Sequence, residues 1–277
     1  MSFPFRLCPN DTTAMLRDLF NATPLRVPEA RVRPMMVIAE KNGKTEFRGG
    51  LEHLLVKDAP LEVNIRETMV TDVALEKTKS VDFDFGFEIM KGFFQGFGIP
   101  ASGVQSALNG AKKISFSFRN VRRLWVDKNE LGSRLRGRLI DLEHPSMAPF
   151  QGPDPWQMLL ISDAIVSNGF AVNVERASGA DFEIKLPEIE AVLEDASAKV
   201  QVKKGSKNSL SFEGDAFLTF AFCVIQLSVD EAGKLRVGTV FKTRSADGKE
   251  IEVVEEEPTH VLLDDNDFEP GLLVFDE

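Results

Sequence analysis

The chain has 277 residues, enough for one large domain or two small ones, and its 43% hydrophobic and 27% charged content is that of an ordinary water-soluble protein. Its 22 Phe stand beside 2 Trp and no Tyr, which argues against a constitutive outer-membrane barrel, where Tyr and Trp form girdles at both interfaces. Net charge is −10, and it is unevenly placed: 11 of the 43 acidic residues, and no Lys or Arg, lie between Glu250 and Glu277, leaving 32 acids against 33 bases in the rest.

Two cysteines, Cys8 and Cys223, at no regular spacing argue against a disulfide framework and suit a reducing compartment. The start, MSFPFRLCPN, lacks the features of a secretory leader, so the expected location is cytoplasmic. The longest apolar run, Phe217–Leu227, is too short for a membrane helix.

In chain order, an irregular lead is followed by a short helix with Met15, Leu16, Leu19 and Phe20 on one face, capped by Asp11 or Thr12. Met35–Ala39 reads as a strand, Asn42-Gly43 as a hairpin turn into Lys44–Arg48, and Gly49-Gly50 as the opening of a short helix with Leu51, Leu54 and Leu55. The stretch Val81–Ile89 then places Val81, Phe83, Phe85, Phe87 and Ile89 on every odd position and acids on even ones, the two-faced pattern of a strand. Such a strand is either half-buried in a soluble sheet or, at roughly 9–11 residues, able to span a bilayer. After it the spacing of Met90, Phe93, Phe94 and Phe97 is helical, weakened by Gly92, Gly96 and Gly98.

A second weak helix, Ser102–Leu108, leads through Lys112-Lys113 to the strand Ile114–Phe118, with Ile114, Phe116 and Phe118 on one parity, running on through Arg119, Arg122 and Arg123 to Trp125. Asp127 caps a helix through Leu131, Leu135 and Leu139, and Pro145–Pro155 reads as a loop. Trp156–Val166 is nearly all apolar on both parities, as a central strand would be. Alternation returns in Gly169–Glu175 (Phe170, Val172, Val174) and Asp181–Leu186 (Phe182, Ile184, Leu186), followed by a helix at EIEAVLED and a strand at Ala198–Val202 beside Lys199, Lys203, Lys204 and Lys207. Three strands close the body, Ser209–Glu213, Ala216–Val229 and Lys234–Lys242, with a turn at Gly214-Asp215 between the first two. The expected fold is a single α+β domain on a twisted, mainly antiparallel sheet flanked by short helices, holding two strand–helix–strand segments near 64–120 and 160–205.

Enzyme chemistry finds little footing. His53, His144 and His260 are scattered, with no metal-ligand spacing, no nucleophile elbow, no phosphate loop and no dinucleotide fingerprint, so neither an enzyme nor a cofactor is expected. The basic clusters are not interleaved with aromatics and suit anionic lipid head groups better than nucleic acid. The acidic tail also carries Leu262, Leu263, Phe268, Leu272, Leu273 and Phe275, more apolar groups than a solvated tail needs, so it is expected to dock on the body.

The segment Thr219–Leu227, TFAFCVIQL, resembles the Thr-hydrophobic-Ala-aromatic-x-Val-x-Gln-Leu strand near the end of the gasdermin pore-forming domain. The lead helix with Arg33-Pro34, the twin strand–helix–strand segments and LISDAIVSNGFAVNVE are similar in order and spacing, and a single short domain with a brief tail looks like a bacterial gasdermin. The resemblance implies a pore-forming domain over 1–242, an exposed cleavable loop over 243–258 and an autoinhibitory peptide over 259–277. It implies a cytoplasmic monomer that an activating protease cuts, at Arg244 or Lys249 if trypsin-like and at Asp247 if caspase-like. The freed body would form a homo-oligomeric ring in the inner membrane and kill the cell, in family terms as anti-phage defence.

The apolar residues on the alternating parities of Val81–Ile89, Ile114–Phe118, Gly169–Glu175 and Asp181–Leu186 would insert as strands, and Lys112, Lys113, Arg119, Lys199, Lys203 and Lys204 would meet anionic lipid at about 1 kcal/mol each. Cys8 is the candidate for a covalent palmitoyl group. A different class of protein, a soluble lipid- or peptide-binding module with its tail as pseudo-ligand, fits the same composition.

Overall fold

A computed structural model describes residues 22–56, 60–70, 81–108, 110–175, 189–190, 200–230, 232–237, 240–244, 250–254 and 260–261. Two long antiparallel strands form its axis, β8 (Gln157–Glu175) and β10 (Ser209–Val229), paired from Asn173↔Ser209 to Met158↔Leu227. Shorter strands follow one another along the outer side of each. Beside β8 lie β2 (Met36–Lys41), β7 (Arg122–Val126) and β6 (Lys113–Arg119). Beside β10 lie β9 (Val200–Ser206), β1 (Thr23–Glu29), β14 (His260–Val261) and β11 (Leu235–Val237). A third tier adds β3 (Lys44–Gly50) to β2, β4 (Ile65–Met69) to β7 and β5 (Val81–Asp82) to β6. The result is a mostly antiparallel sheet with short helices, as the sequence led us to expect.

Local chemistry explains most turns. Asn42 and Gly43 take φ of 54° and 82°, the left-handed pair that a two-residue hairpin requires, and join β2 to β3. Asp127 accepts hydrogen bonds from the N–H groups of Asn129 (3.0 Å) and Glu130 (3.1 Å) and so starts the helix Lys128–Leu135. That helix stops before Leu139, because Arg136 leaves helical backbone and Gly137 takes φ 78°.

The odd-parity strand is the main correction. Val81–Ile89 is strand only at Val81–Asp82; from Phe83 the chain winds into α1 (Phe83–Gly96), followed by α2 (Ala101–Ala107), so the helix Lys128–Leu135 is α3. Both periods are written in the same residues. Phe83, Phe87, Met90, Phe94 and Phe97 follow each other at intervals of four and three, which is one face of a helix. Helix wins because it carries Phe87, Met90, Phe93 and Phe94 to 4% exposure or less against the sheet. Each fully buried ring contributes about 1.5–3 kcal/mol.

Other boundaries also moved. Trp156–Val166 and Gly169–Glu175 are one strand, β8; Ser209–Glu213 and Ala216–Val229 are one strand, β10, with a register shift where the turn was expected. The Lys234–Lys242 strand divides into β11 and β12 (Val240–Arg244), and the Pro145–Pro155 loop contains a 3-10 turn at Pro145–Phe150. The lead helix, the strand at Asp181–Leu186 and most of the helix at EIEAVLED lie outside the described residues.

The core falls into three clusters. The first packs α1 and α2 on Ile114, Phe118, Phe170, Val172, Val174, Leu210 and Phe212. The second gathers Leu51, Leu54 and Leu55 with α3 around Leu160 and Ile225, and the third places Leu25, Val32 and Ile38 on Leu159, Phe222 and Val224.

Candidate functional site

Under α1 the alternating residues meet in rows. Phe118 of β6, Phe170 of β8 and Phe212 of β10 are cross-strand partners, and so are Phe116, Val172 and Leu210 in the next row. Ile114 pairs with Val174, completing the face that the sequence parity marked out. The Phe170 and Phe212 rings stack at 4.9 Å, and Phe94 meets both edge-on at 5.4 Å. Phe93 meets Phe118 edge-on at 5.1 Å, so these aromatic rings of α1 sit on one patch of sheet.

Phe182, Ile184 and Leu186 lie outside the described residues. So do Cys8, Lys199, Asp247, Lys249, Leu262, Leu263, Phe268, Leu272, Leu273 and Phe275.

Among the basic residues, Lys112 and Lys113 are exposed at the start of β6, and Lys203 and Lys204 are exposed on β9, both on the half of the sheet that carries α1. Lys203 reaches Glu213 at 3.7 Å, an exposed pair of little energetic weight. Arg119 stands apart from them, at the opposite end of β6.

Charges that sequence reading passed over lie deeper. Asp163 is the one charged residue of the mainly apolar run Trp156–Val166, and it is 3% exposed. Arg123 of β7 donates to it from Nε at 2.7 Å, and Ser162 Oγ donates to it at 2.6 Å. The lone carboxylate in an apolar strand was the available signal, since a buried charge demands a partner. Next to it, burial first and the Asp163 charge second push the Cys223 thiol up to about 12. Arg33, whose pKa burial lowers, donates to Phe217 O (2.7 Å) and Thr219 Oγ1 (3.3 Å). This arrangement pins the start of the TFAFCVIQL strand.

Three short stretches of the C-terminal region are described, and all are strand. Val240–Arg244 (β12) pairs with Glu250–Val254 (β13), with Arg244 opposite Glu250, so the span 243–258 expected as an exposed loop contains one strand of a hairpin and the end of the other. Beyond it, β14 sets Val261 against Val224 and His260 against Ile225 on the outer edge of β10. There it fills the interval between β1, which ends at Phe222, and β11, which begins at Leu227. Among the described residues no helix is long and apolar enough to cross a membrane, and no group of His, Cys, Asp or Glu could hold a metal.

The family model of the Bacterial Gasdermin Family matches residues 25–234, more than half of the chain. The chain is 26% identical over 225 residues to a gasdermin of Vitiosangium sp., covering 80% of this chain and 83% of that protein. It is 22% identical over 213 residues to one from a Desulfuromonadales bacterium, covering 76% and 79%. Its fold is similar to that of a bacterial gasdermin from Bradyrhizobium tropiciagri, with a TM-score of 0.59 at 14% identity over 81% of this chain and 88% of that one.

Proposed function

The chain belongs to the bacterial gasdermin family, a family of pore-forming proteins, and from that premise we propose that it is a pore-former held closed by its own C-terminal segment. One observation carries this reading: β14 completes the ladder on β10 in the interval between β1 and β11. A strand edge left without a partner presents N–H and C=O groups that seek one. A tail in that position stabilises the compact state, and its removal leaves an open edge.

A protease that cuts within 243–258, at Arg244, Asp247 or Lys249, separates this tail from the body. The freed body loses a segment of 11 acids counted from Glu250 and is left nearly neutral, with Lys112, Lys113, Arg119, Lys199, Lys203 and Lys204 available to anionic lipid. The segments near 64–120 and 160–205 then convert to spanning hairpins. Their parity already separates an apolar from a polar face, and the glycines of α1 lower the cost of melting it. In a bilayer every backbone group must be paired, so such hairpins are viable only in a closed ring of subunits. The intact chain is cytoplasmic and monomeric, the ring is in the inner membrane, and its effect is cell death in defence against phage. A palmitoyl chain on Cys8 would add about 0.8 kcal/mol of burial per methylene to whichever state shelters it.

Dye-loaded anionic liposomes test this. Protein cut near Arg244 should release dye and intact protein should not. Cut protein that binds the vesicles without releasing dye would replace the pore reading with that of a lipid-binding module.

A further inference from the structure

The sheet is interrupted along a single line. The strands β6 and β7 keep one register against β8 but break at Asn120-Val121, where Asn120 takes φ 52°. On the other side β9 pairs with β10 only as far as Gly214, and β1 takes over only at Thr219. Between them β10 itself bulges: the four residues between Glu213 and Leu218 stand opposite the one between Gly169 and Ser167. Of the described strands, only β8 and β10 cross.

Polar groups mark this line. Asn120 Nδ2 donates to Asn168 Oδ1 (2.9 Å), Asn168 Nδ2 donates to Gly214 O (3.1 Å), and Ser167 Oγ donates to the carbonyls of Arg119 and Gly169. Below it the bulge is clamped to the body. Arg33 holds Phe217 O, and the Arg122 guanidinium lies 4.0 Å over the Phe217 ring. Above it the backbones close up, since a Cβ on Gly169 would stand 2.5 Å from Phe212 O. Apolar contacts also span the line. The end of α1 rests on β1, with Gly96 so close that a Cβ there would be 2.6 Å from Pro28 O, and Phe118 stacks on Phe220 at 3.9 Å.

We propose that this line is a hinge with α1 as its clasp. The half of the sheet built from β6, β9, residues 169–175 of β8 and residues 209–213 of β10 opens as a unit, while the half carrying β1, β2 and β7 stays paired. Local opening follows cooperative units of contact, and a seam crossed by two strands separates such units. A bulge with hydrogen-bonded polar groups also bends without stranding apolar surface. The hinge is a property of the uncut chain, so it stands or falls apart from pore formation.

Hydrogen exchange read by mass spectrometry on the intact chain decides it. Residues 169–175 and 209–213 should exchange together, at least about tenfold faster than residues 159–166 and 221–227. A single common rate for all four overturns the hinge. Gly96→Val, which pushes α1 off Pro28, should speed the first pair about tenfold further and leave the second pair unchanged. Asn168→Ala, a milder change that removes two of the polar ties, should move the rates in the same direction by a few-fold. Equal acceleration of both pairs, or of neither, in both variants removes α1 and the polar line from the account.

Discussion

Arg123 on β7 and Asp163 on β8 meet at the centre of the sheet, with the carboxylate side chain 4% exposed and the arginine side chain 40% exposed. The arginine brings partial hydration to a charge that β8 has taken out of water. Arg123→Ala therefore leaves a buried carboxylate with Ser162 as its remaining described donor, and it should destabilise the fold by about 3 kcal/mol. The double change Arg123→Met with Asp163→Leu should cost less than the sum of the two single changes. Urea unfolding of all four proteins measures the coupling, and strict additivity would mean that the two side chains act independently.

Cys223 supplies a pH prediction. Burial, with the Asp163 charge beside it, pushes its thiol from an ordinary 9.0 up to about 12 in the folded chain. The folded state therefore keeps a proton that the unfolded state gives up, so the contribution is complete below pH 9 and drains away as pH rises toward 12. Stability should fall across that window in the parent chain and fall less in Cys223→Ala. In the folded protein at pH 8 a maleimide should leave Cys223 unmodified, and peptide mapping of the product reads this directly.

Phe94 touches Phe87, Phe170 and Phe212, and it is fully buried. Phe94→Ala should cost about 3–5 kcal/mol, the range for a buried ring replaced by a cavity. The shift of the denaturation midpoint measures it, and a loss under 1 kcal/mol would mean that the aromatic rows do not hold α1 down.

Gly132 lies inside α3 with nothing within 4 Å of the place where a Cβ would go. Gly132→Ala should stabilise the chain by about 0.5–1 kcal/mol, because helix propensity rises and no contact is disturbed. Thermal unfolding should show a higher midpoint, and a lower one would contradict the open surroundings.

Val261 pairs with Val224 through the backbone ladder. Proline there removes the N–H and obstructs the pairing. Intact Val261→Pro should release liposome dye without a protease. A variant as silent as the parent would show that the tail holds the closed state by other contacts.

The sequence by itself determined what depends on neighbours along the chain. The Asn42-Gly43 turn, the Asp127 cap and the parity of Phe170, Val172 and Val174 all follow from backbone geometry and side-chain alternation over a few residues. The charge division at Glu250 and the family's strand at Thr219–Leu227 were readable in the same way. Tertiary structure decided where local signals tied. Residues 83–89 satisfy both a two-residue and a 3.6-residue period, and only the apolar bed formed by Phe118, Phe170 and Phe212 makes the helix the deeper burial. Burial also decided Asp163, whose partner lies 40 residues away on another strand and is identified by no local pattern. The slot that β14 enters exists only because β1 and β11 stop short of each other along β10, a spacing created by strand pairing between distant parts of the chain.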